Sequence, residues 1–159
     1  MQNLIIYYSN SNYNKNLALE IQKKLNCDIE EIIDKYSDKE GFKLYFTGGL
    51  STILGKKTEI SNLKSRLEEY ENIILLSPIW VGSLPPAIKS FLSQNKDKIN
   101  NLVYISVSGD GHKNTDKALK GIFAQLGKHT EKYLLFTKKE IDNKTYKEQL
   151  NKFIADLAN

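Results

Sequence analysis

The sequence predicts an α/β fold: a five-stranded parallel sheet in the order 2-1-3-4-5, covered by helices on both faces. Three observations predict it. Short, nearly continuous apolar runs alternate with stretches of three-and-four apolar spacing along the chain. The second run mixes charge with apolar residues, as an exposed edge strand does. No Pro/Gly/Ser-rich linker and no internal repeat divides the 159 residues, so a single domain (1–159) is expected.

The strands come first. Leu4–Tyr8, Ile73–Leu76, Leu102–Val107 and Tyr133–Phe136 are apolar almost without a break, the pattern of parallel strands buried on both faces. The run from Cys27 to Ile33 carries Asp28, Glu30 and Glu31, which suits an edge. Between the runs, Leu17, Ile21 and Leu25 share one helical face, as do Leu84, Ile88, Phe91 and Leu92. The spacing returns in Leu119, Ile122, Phe123 and Leu126, and in Tyr146, Leu150, Phe153, Ile154 and Leu157. Each set has a polar opposite face, so each predicts an amphipathic surface helix. The segment 41–60 departs from a plain crossover. Phe42, Tyr45, Phe46, Leu50, Ile53 and Leu54 trace a helical stripe that Gly48, Gly49 and Gly55 interrupt. It is expected to be an insertion between strand two and a second main helix over Asn62–Tyr70. It caps the sheet edge, or else serves as a flap or subunit contact.

Composition bounds the function. An apolar share of 40% and a charged share of 26% describe an ordinary globule. No stretch approaches the roughly 20 apolar residues of a membrane span. Met1-Gln2-Asn3 leads straight into Leu4–Tyr7, too short a run and without the basic flank of a signal peptide, so a cytoplasmic location is expected. Cys27, the single cysteine, rules out an internal disulfide and reads as a small buried side chain. The net charge is +4, and every basic residue except Arg66 is lysine. Nucleic-acid readers lean on arginine forks in a basic stripe, so no nucleic-acid partner is expected.

In an open parallel sheet, ligands bind beyond the carboxyl ends of the strands, where the strand order switches. The loops after strands one, three and four therefore matter most. After strand one, Ser9-Asn10-Ser11-Asn12-Tyr13-Asn14-Lys15 opens a helix, and small polar side chains with free N–H groups make an anion site there. Plain helix capping is the simpler account of such a start. Asn12 suits a tight loop, because Asn tolerates positive φ better than other non-glycine residues. After strand three, Pro78-Ile79-Trp80-Val81-Gly82 puts the only tryptophan at the active end of the sheet, a flat apolar face for a planar ligand. It could equally fold over the sheet end. Pro85-Pro86 then starts the next helix. After strand four, Ser108-Gly109-Asp110-Gly111-His112 holds two glycines that permit close backbone approach to a ligand. Asp110 can accept hydrogen bonds there, and His112 is either near the site or simply solvated. His129 has no argued role.

Together these loops resemble the flavodoxin-like family of small bacterial FMN-binding flavoproteins. Ser9–Asn14 is similar to its phosphate loop, Ser-x-Thr-Gly-x-Thr, with Ser11, Asn12 and Asn14 at the last three defined places. Ser77–Gly82 resembles the loop whose aromatic residue stacks on the flavin, and Ser108–Gly111 the third flavin loop, where Asp110 would meet ring or ribityl donors. The resemblance covers nearly the whole chain; the Pro-x-Trp-x-Gly…Pro-x-Ile stretch is its most specific piece. It implies FMN as cofactor, bound by Ser9, Ser11, Asn12, Tyr13, Asn14, Lys15, Pro78, Ile79, Trp80, Val81, Gly82, Ser108, Gly109, Asp110, Gly111 and His112. The chain departs from the family in three ways. Asn12 stands where the family has glycine, Asn14 where it has threonine, and no second stacking tyrosine is present. The basic net charge also differs from acidic flavodoxins, and implies a less negative potential and a partner surface that is not strongly basic.

The resemblance implies electron transfer through bound FMN to a redox partner protein. A first alternative is an NAD(P)H-dependent FMN oxidoreductase of the quinone reductase type, a monomer or homodimer, with nicotinamide in the room left by the absent second stacking ring. A second is a flavin-free binding or regulatory module on the same fold. Other chemistries of this architecture fail on residues. A phosphoacceptor receiver needs acids where Ser9 and Ser77 stand, and neither Gly-x4-Gly-Lys-Ser/Thr nor Gly-x-Gly-x-x-Gly occurs.

Overall fold

The computed structural model describes residues 2–34, 58–80, 82–109, 115–116, 119–120, 123 and 132–158. In chain order these form β1 (Asn3–Tyr7), α1 (Tyr13–Leu25), β2 (Asp28–Glu31), β3 (Asn72–Leu76), α2 (Pro86–Asn95), β4 (Asn101–Ser108), β5 (Tyr133–Thr137), α3 (Lys138–Asp142) and α4 (Lys147–Ala158). All strand pairs are parallel and the order is β2-β1-β3-β4-β5, as the apolar runs predict.

Period-two alternation divides the strand residues between two cores. Leu4, Ile6, Ile73, Leu75, Leu102 and Tyr104 face one side. There they meet Leu84, Ala87, Ile88, Phe91 and Leu92 from the start and length of α2, together with Leu119 and Phe123. Ile5, Tyr7, Ile74, Leu76, Val103, Ile105, Val107, Leu134 and Phe136 face the other. They are covered by Leu17, Ala18 and Ile21 of α1 and by Leu150, Ile154 and Leu157 of α4. Both β1 and β3 are buried along their whole length, which explains why they carry no polar alternation. By contrast β2 is only partly covered and sits at the edge.

Of the third helical set, Leu119 and Phe123 are buried and lie in helix, with Thr115, Asp116 and Lys120; Ile122, Leu126 and His129 lie outside the described residues. So does the stripe from Phe42 to Leu54, and with it most of the expected 41–60 insertion. At its far end, Thr58 donates to the buried Asp34 carboxylate at 2.8 Å, and Ile60 pairs with Asp34 in an antiparallel bridge.

The expected helix over Asn62–Tyr70 is not formed. The segment is irregular except for one 3-10 turn at Leu67–Glu69. The physical reason is a tertiary contact. The Glu30 carboxylate on the edge strand accepts from the backbone N–H of Lys64 at 2.6 Å and of Ser65 at 2.9 Å. Leu63 and Leu67 still bury against the core, so the three-and-four spacing reports burial here without a helix. Conversely, α3 is a helix that apolar periodicity did not predict. It is set by a capping box: Thr137 Oγ1 accepts from the Glu140 N–H, and the Glu140 carboxylate accepts from the Thr137 N–H.

Cys27 is half-buried; burial, with Asp28 beside it, pushes its thiol up to about 11. It is a neutral, unreactive group at physiological pH. No helix among the described residues is long and apolar enough to cross a membrane.

Candidate functional site

The strands β1, β3 and β4 are neighbours, so the loops that leave their carboxyl ends gather at one edge of the sheet. Ser9, Ser11, Asn12, Tyr13, Asn14 and Lys15 follow β1; Pro78, Ile79, Trp80 and Gly82 follow β3; Ser108 ends β4 and Gly109 follows it. The remaining expected site residues, Val81, Asp110, Gly111 and His112, lie outside the described residues.

Asn12 takes the left-handed conformation, φ 37° and ψ −16°, immediately before α1. This turn aims the start of the helix back over the end of β1. The Asn12 side chain makes no capping bond, and no acidic residue occupies the first turn of α1. The Tyr13 N–H donates to the Ser11 carbonyl; the N–H groups that follow it in the first turn and the positive end of the helix dipole are left for an anion. Lys23 and Lys24 complement the dipole at the opposite end. Ser9 Oγ is buried at the head of the loop with no hydrogen-bond partner among the described residues, a polar atom that a phosphate oxygen would satisfy. Lys15 is half-buried on the first turn of α1, and the Lys138 amine lies 5.5 Å from the centroid of the Tyr13 ring. The Tyr13 hydroxyl donates to the Asp142 carboxylate at 3.0 Å, which fixes α3 beside the loop and pushes the phenol pKa up. Glycine at position 12 adopts φ above zero without strain but makes the unfolded chain more flexible. Asn12→Gly is therefore expected to change urea-unfolding stability by less than about 0.5 kcal/mol, whereas Asn12→Val, β-branched in a left-handed position, is expected to lose about 1–2 kcal/mol. Equal stability of the two variants would mean that the turn does not depend on this conformation.

The β3 loop is a tight turn. Trp80 and Ser83 exchange backbone hydrogen bonds of 2.8 and 2.9 Å around Gly82, whose φ is 71°. Trp80 is partly exposed, and its ring meets the edge of Tyr8 at 6.3 Å between centroids and 63° between planes. The indole is thus neither free in solvent nor fully folded into the core. Ile79 faces the core, so only its backbone is available to a ligand. Beyond β4, a Cβ built on Gly109 meets nothing within 4 Å, and the same holds at Gly82. Among the described residues, each glycine therefore has open space beside its Cα.

Three cross-links hold the loops together, and sequence reading found none of them. Tyr8, one residue past β1, braces Trp80. Tyr104, fully buried in β4, reaches under the β3 loop: its hydroxyl lies 2.8 Å from Ser77 Oγ and donates to the Ser77 carbonyl at 3.1 Å. Burial pushes this phenol far up, so it stays neutral. Finally, Asn14 is buried, and its carboxamide bonds both backbone groups of Val107. Lys138 was likewise missed, although the Thr137-Lys138-Lys139-Glu140 capping box was a signal for the helix that carries it. A cavity of about 310 Å³ at the opposite edge of the sheet, between Ile60–Glu68 and the end of α2, is separate from these loops.

A helix start without a side-chain cap or first-turn acid, a buried hydroxyl beside it and a partly exposed indole on the neighbouring loop are features that would suit a planar ligand carrying a phosphate. Comparison with known proteins agrees. The fold is similar to that of a Lactobacillus acidophilus flavoprotein solved in complex with FMN, with a TM-score of 0.68 and 23% identity over 89% of this chain and 97% of that one. It is also similar to a Fusobacterium nucleatum flavodoxin bound to FMN, with a TM-score of 0.57 and 16% identity over 99% of this chain and 98% of that one. A Bacillus cereus flavodoxin is similar at a TM-score of 0.55 and 15% identity, over 98% of both chains. No curated protein sequence matches significantly. These likenesses give the fold, which is flavodoxin-like. A sequence profile gives the family: residues 1–138, the span that holds all three loops, match NADPH-dependent FMN reductase. The chain belongs to the NADPH-dependent FMN reductase family, flavoproteins whose cofactor is FMN.

Proposed function

We propose that this chain binds FMN across the three loops and works as an NAD(P)H-dependent flavin oxidoreductase. The observation that carries the reading is the buried Ser9 Oγ at the head of the left-handed Asn12 turn, which has no hydrogen-bond partner among the described residues and which an anion at the start of α1 would satisfy. In this reading Ser9, Ser11, Asn12, Tyr13 and Lys15 hold the phosphate with backbone N–H groups, hydroxyls and one amine. Trp80 stacks on the ring system, while the backbone of Pro78, Ile79, Val81 and Gly82 and of Ser108, Gly109, Asp110 and Gly111 borders the ring edge and ribityl chain.

FMN held by these residues would supply the redox chemistry, hydride uptake from a reduced nicotinamide and delivery of electrons to an organic acceptor or a protein. The protein's part is position and electrostatics. In this reading the nicotinamide would lie over the flavin face away from Trp80, and no side chain is needed as acid or base. The family match supports NAD(P)H as the donor. The likeness to flavodoxins over nearly the full chain supports a second reading, a one-electron carrier between proteins.

A visible-region titration of the purified protein with FMN tests the site, and anaerobic addition of NADPH then separates the readings. We expect saturable binding with quenched tryptophan fluorescence, followed by bleaching of the flavin bands within seconds. Binding without bleaching would favour the carrier. No binding at high micromolar FMN would overturn the flavin reading and favour a flavin-free module.

A further inference from the structure

The end of β4 poses an accounting problem. Strand β3 pairs with β4 only as far as Leu76 opposite Ile105, with one further bond from the Ser77 N–H to the Ile105 carbonyl. On its other side β4 continues beside β5 to Ser108 opposite Thr137. Backbone groups alternate sides along a strand, so those of Val107 point the same way as those of Ile105, toward the space that β3 has left. Val107 is buried, and an unpaired N–H and C=O there would each cost about 1–3 kcal/mol. Asn14 fills the gap. Its Oδ1 accepts from the Val107 N–H at 2.9 Å, and its Nδ2 donates to the Val107 carbonyl at 3.2 Å. A carboxamide has the same donor and acceptor pair as a peptide group, and both are used here. Threonine, which the flavodoxin loop has at this place, carries a single hydroxyl and cannot span both groups.

We propose that Asn14 is a positioning residue: its carboxamide extends the β3–β4 ladder by one step and clamps the phosphate loop to the third loop, so the two halves of the site move together. It acts through Val107 and the Ser108-Gly109 backbone and does not meet the phosphate itself. The proposal rests on the FMN reading for its functional consequence, although the clamp itself belongs to the protein without ligand.

The test compares FMN with riboflavin, which lacks the phosphate. For Asn14→Ala we expect both affinities to fall by the same factor, about tenfold or more, because the loss of two buried hydrogen bonds is at least of that order. In the ligand-free protein we expect the Val107 amide, protected from hydrogen exchange in the wild type, to lose that protection. A fall in FMN affinity with riboflavin unchanged would make Asn14 a phosphate ligand and overturn the proposal. So would a Val107 amide equally protected in the variant. Asn14→Asp serves if the alanine variant fails to fold. Its carboxylate can accept from the Val107 N–H but sets a second oxygen against the Val107 carbonyl, while its protonated form can donate. The protection factor of Val107 should therefore be lower at pH 8 than toward pH 5; a wild-type protection factor at pH 8 would overturn the clamp. If wild-type protein binds neither flavin, the FMN reading fails, and the exchange result still decides the clamp.

Discussion

Gly109→Val is expected to weaken FMN binding by about a hundredfold, about 2.8 kcal/mol, while leaving the ligand-free protein as stable as the wild type. Gly109 is exposed, its φ lies outside the left-handed region, and a Cβ there meets nothing within 4 Å. A valine side chain thus finds room in the empty protein. In the proposed complex that room belongs to the flavin, and the two methyl groups would hold the ring off the backbone that borders it. Gly82 supplies the contrast. Its φ of 71° makes any L side chain strained, so Gly82→Ala should cost about 1 kcal/mol of stability even without ligand. Thermal unfolding of the ligand-free variants, set beside FMN titration, separates the two effects. Unchanged FMN affinity in Gly109→Val would mean that no ring approaches this turn, and the third loop would leave the site.

What could be read from the sequence follows from how many partners each element has. Buried on both faces, β1, β3 and β4 are written as apolar runs; β5 reads the same way although, at the other edge of the sheet, only Leu134 and Phe136 of it are buried. The mixed charge of β2 pointed to the edge, where Glu30 turns outward and meets the backbone of Lys64 and Ser65. That same contact is why the helix expected over Asn62–Tyr70 failed: a carboxylate from another element settles the local hydrogen bonding, and no window of sequence contains both partners. The site divides in the same way. Asn12, Trp80 and the two glycines declare themselves, because positive φ, an isolated indole and close backbone approach each demand a residue type. The cross-links do not. Asn14 and Val107 are 93 residues apart, and Tyr104 reads as one more apolar position in a strand until Ser77 is found beside its hydroxyl.

Trp80→Ala should raise the FMN dissociation constant by about 10- to 100-fold, since stacking of a heteroaromatic ring on an aromatic side chain contributes about 1–3 kcal/mol. The indole is suited to this because it is already held. Its backbone is closed into the turn with Ser83, its ring rests against Tyr8, and part of its surface remains exposed. A ring fixed before binding loses little conformational entropy on stacking, so more of the contact energy is kept as affinity. The same contacts give the substitution a second effect: loss of the edge contact with Tyr8 should destabilise the ligand-free protein by about 0.5–1.5 kcal/mol. Trp80→Phe separates these contributions, because a smaller ring keeps a stacking face while changing the packing on Tyr8. We expect it to retain FMN binding within about tenfold of the wild type. If alanine and phenylalanine weaken binding equally, and only in proportion to lost stability, then Trp80 merely covers the end of the sheet. If alanine alone abolishes both the affinity and the fluorescence quenching, the indole is the face on which the flavin lies.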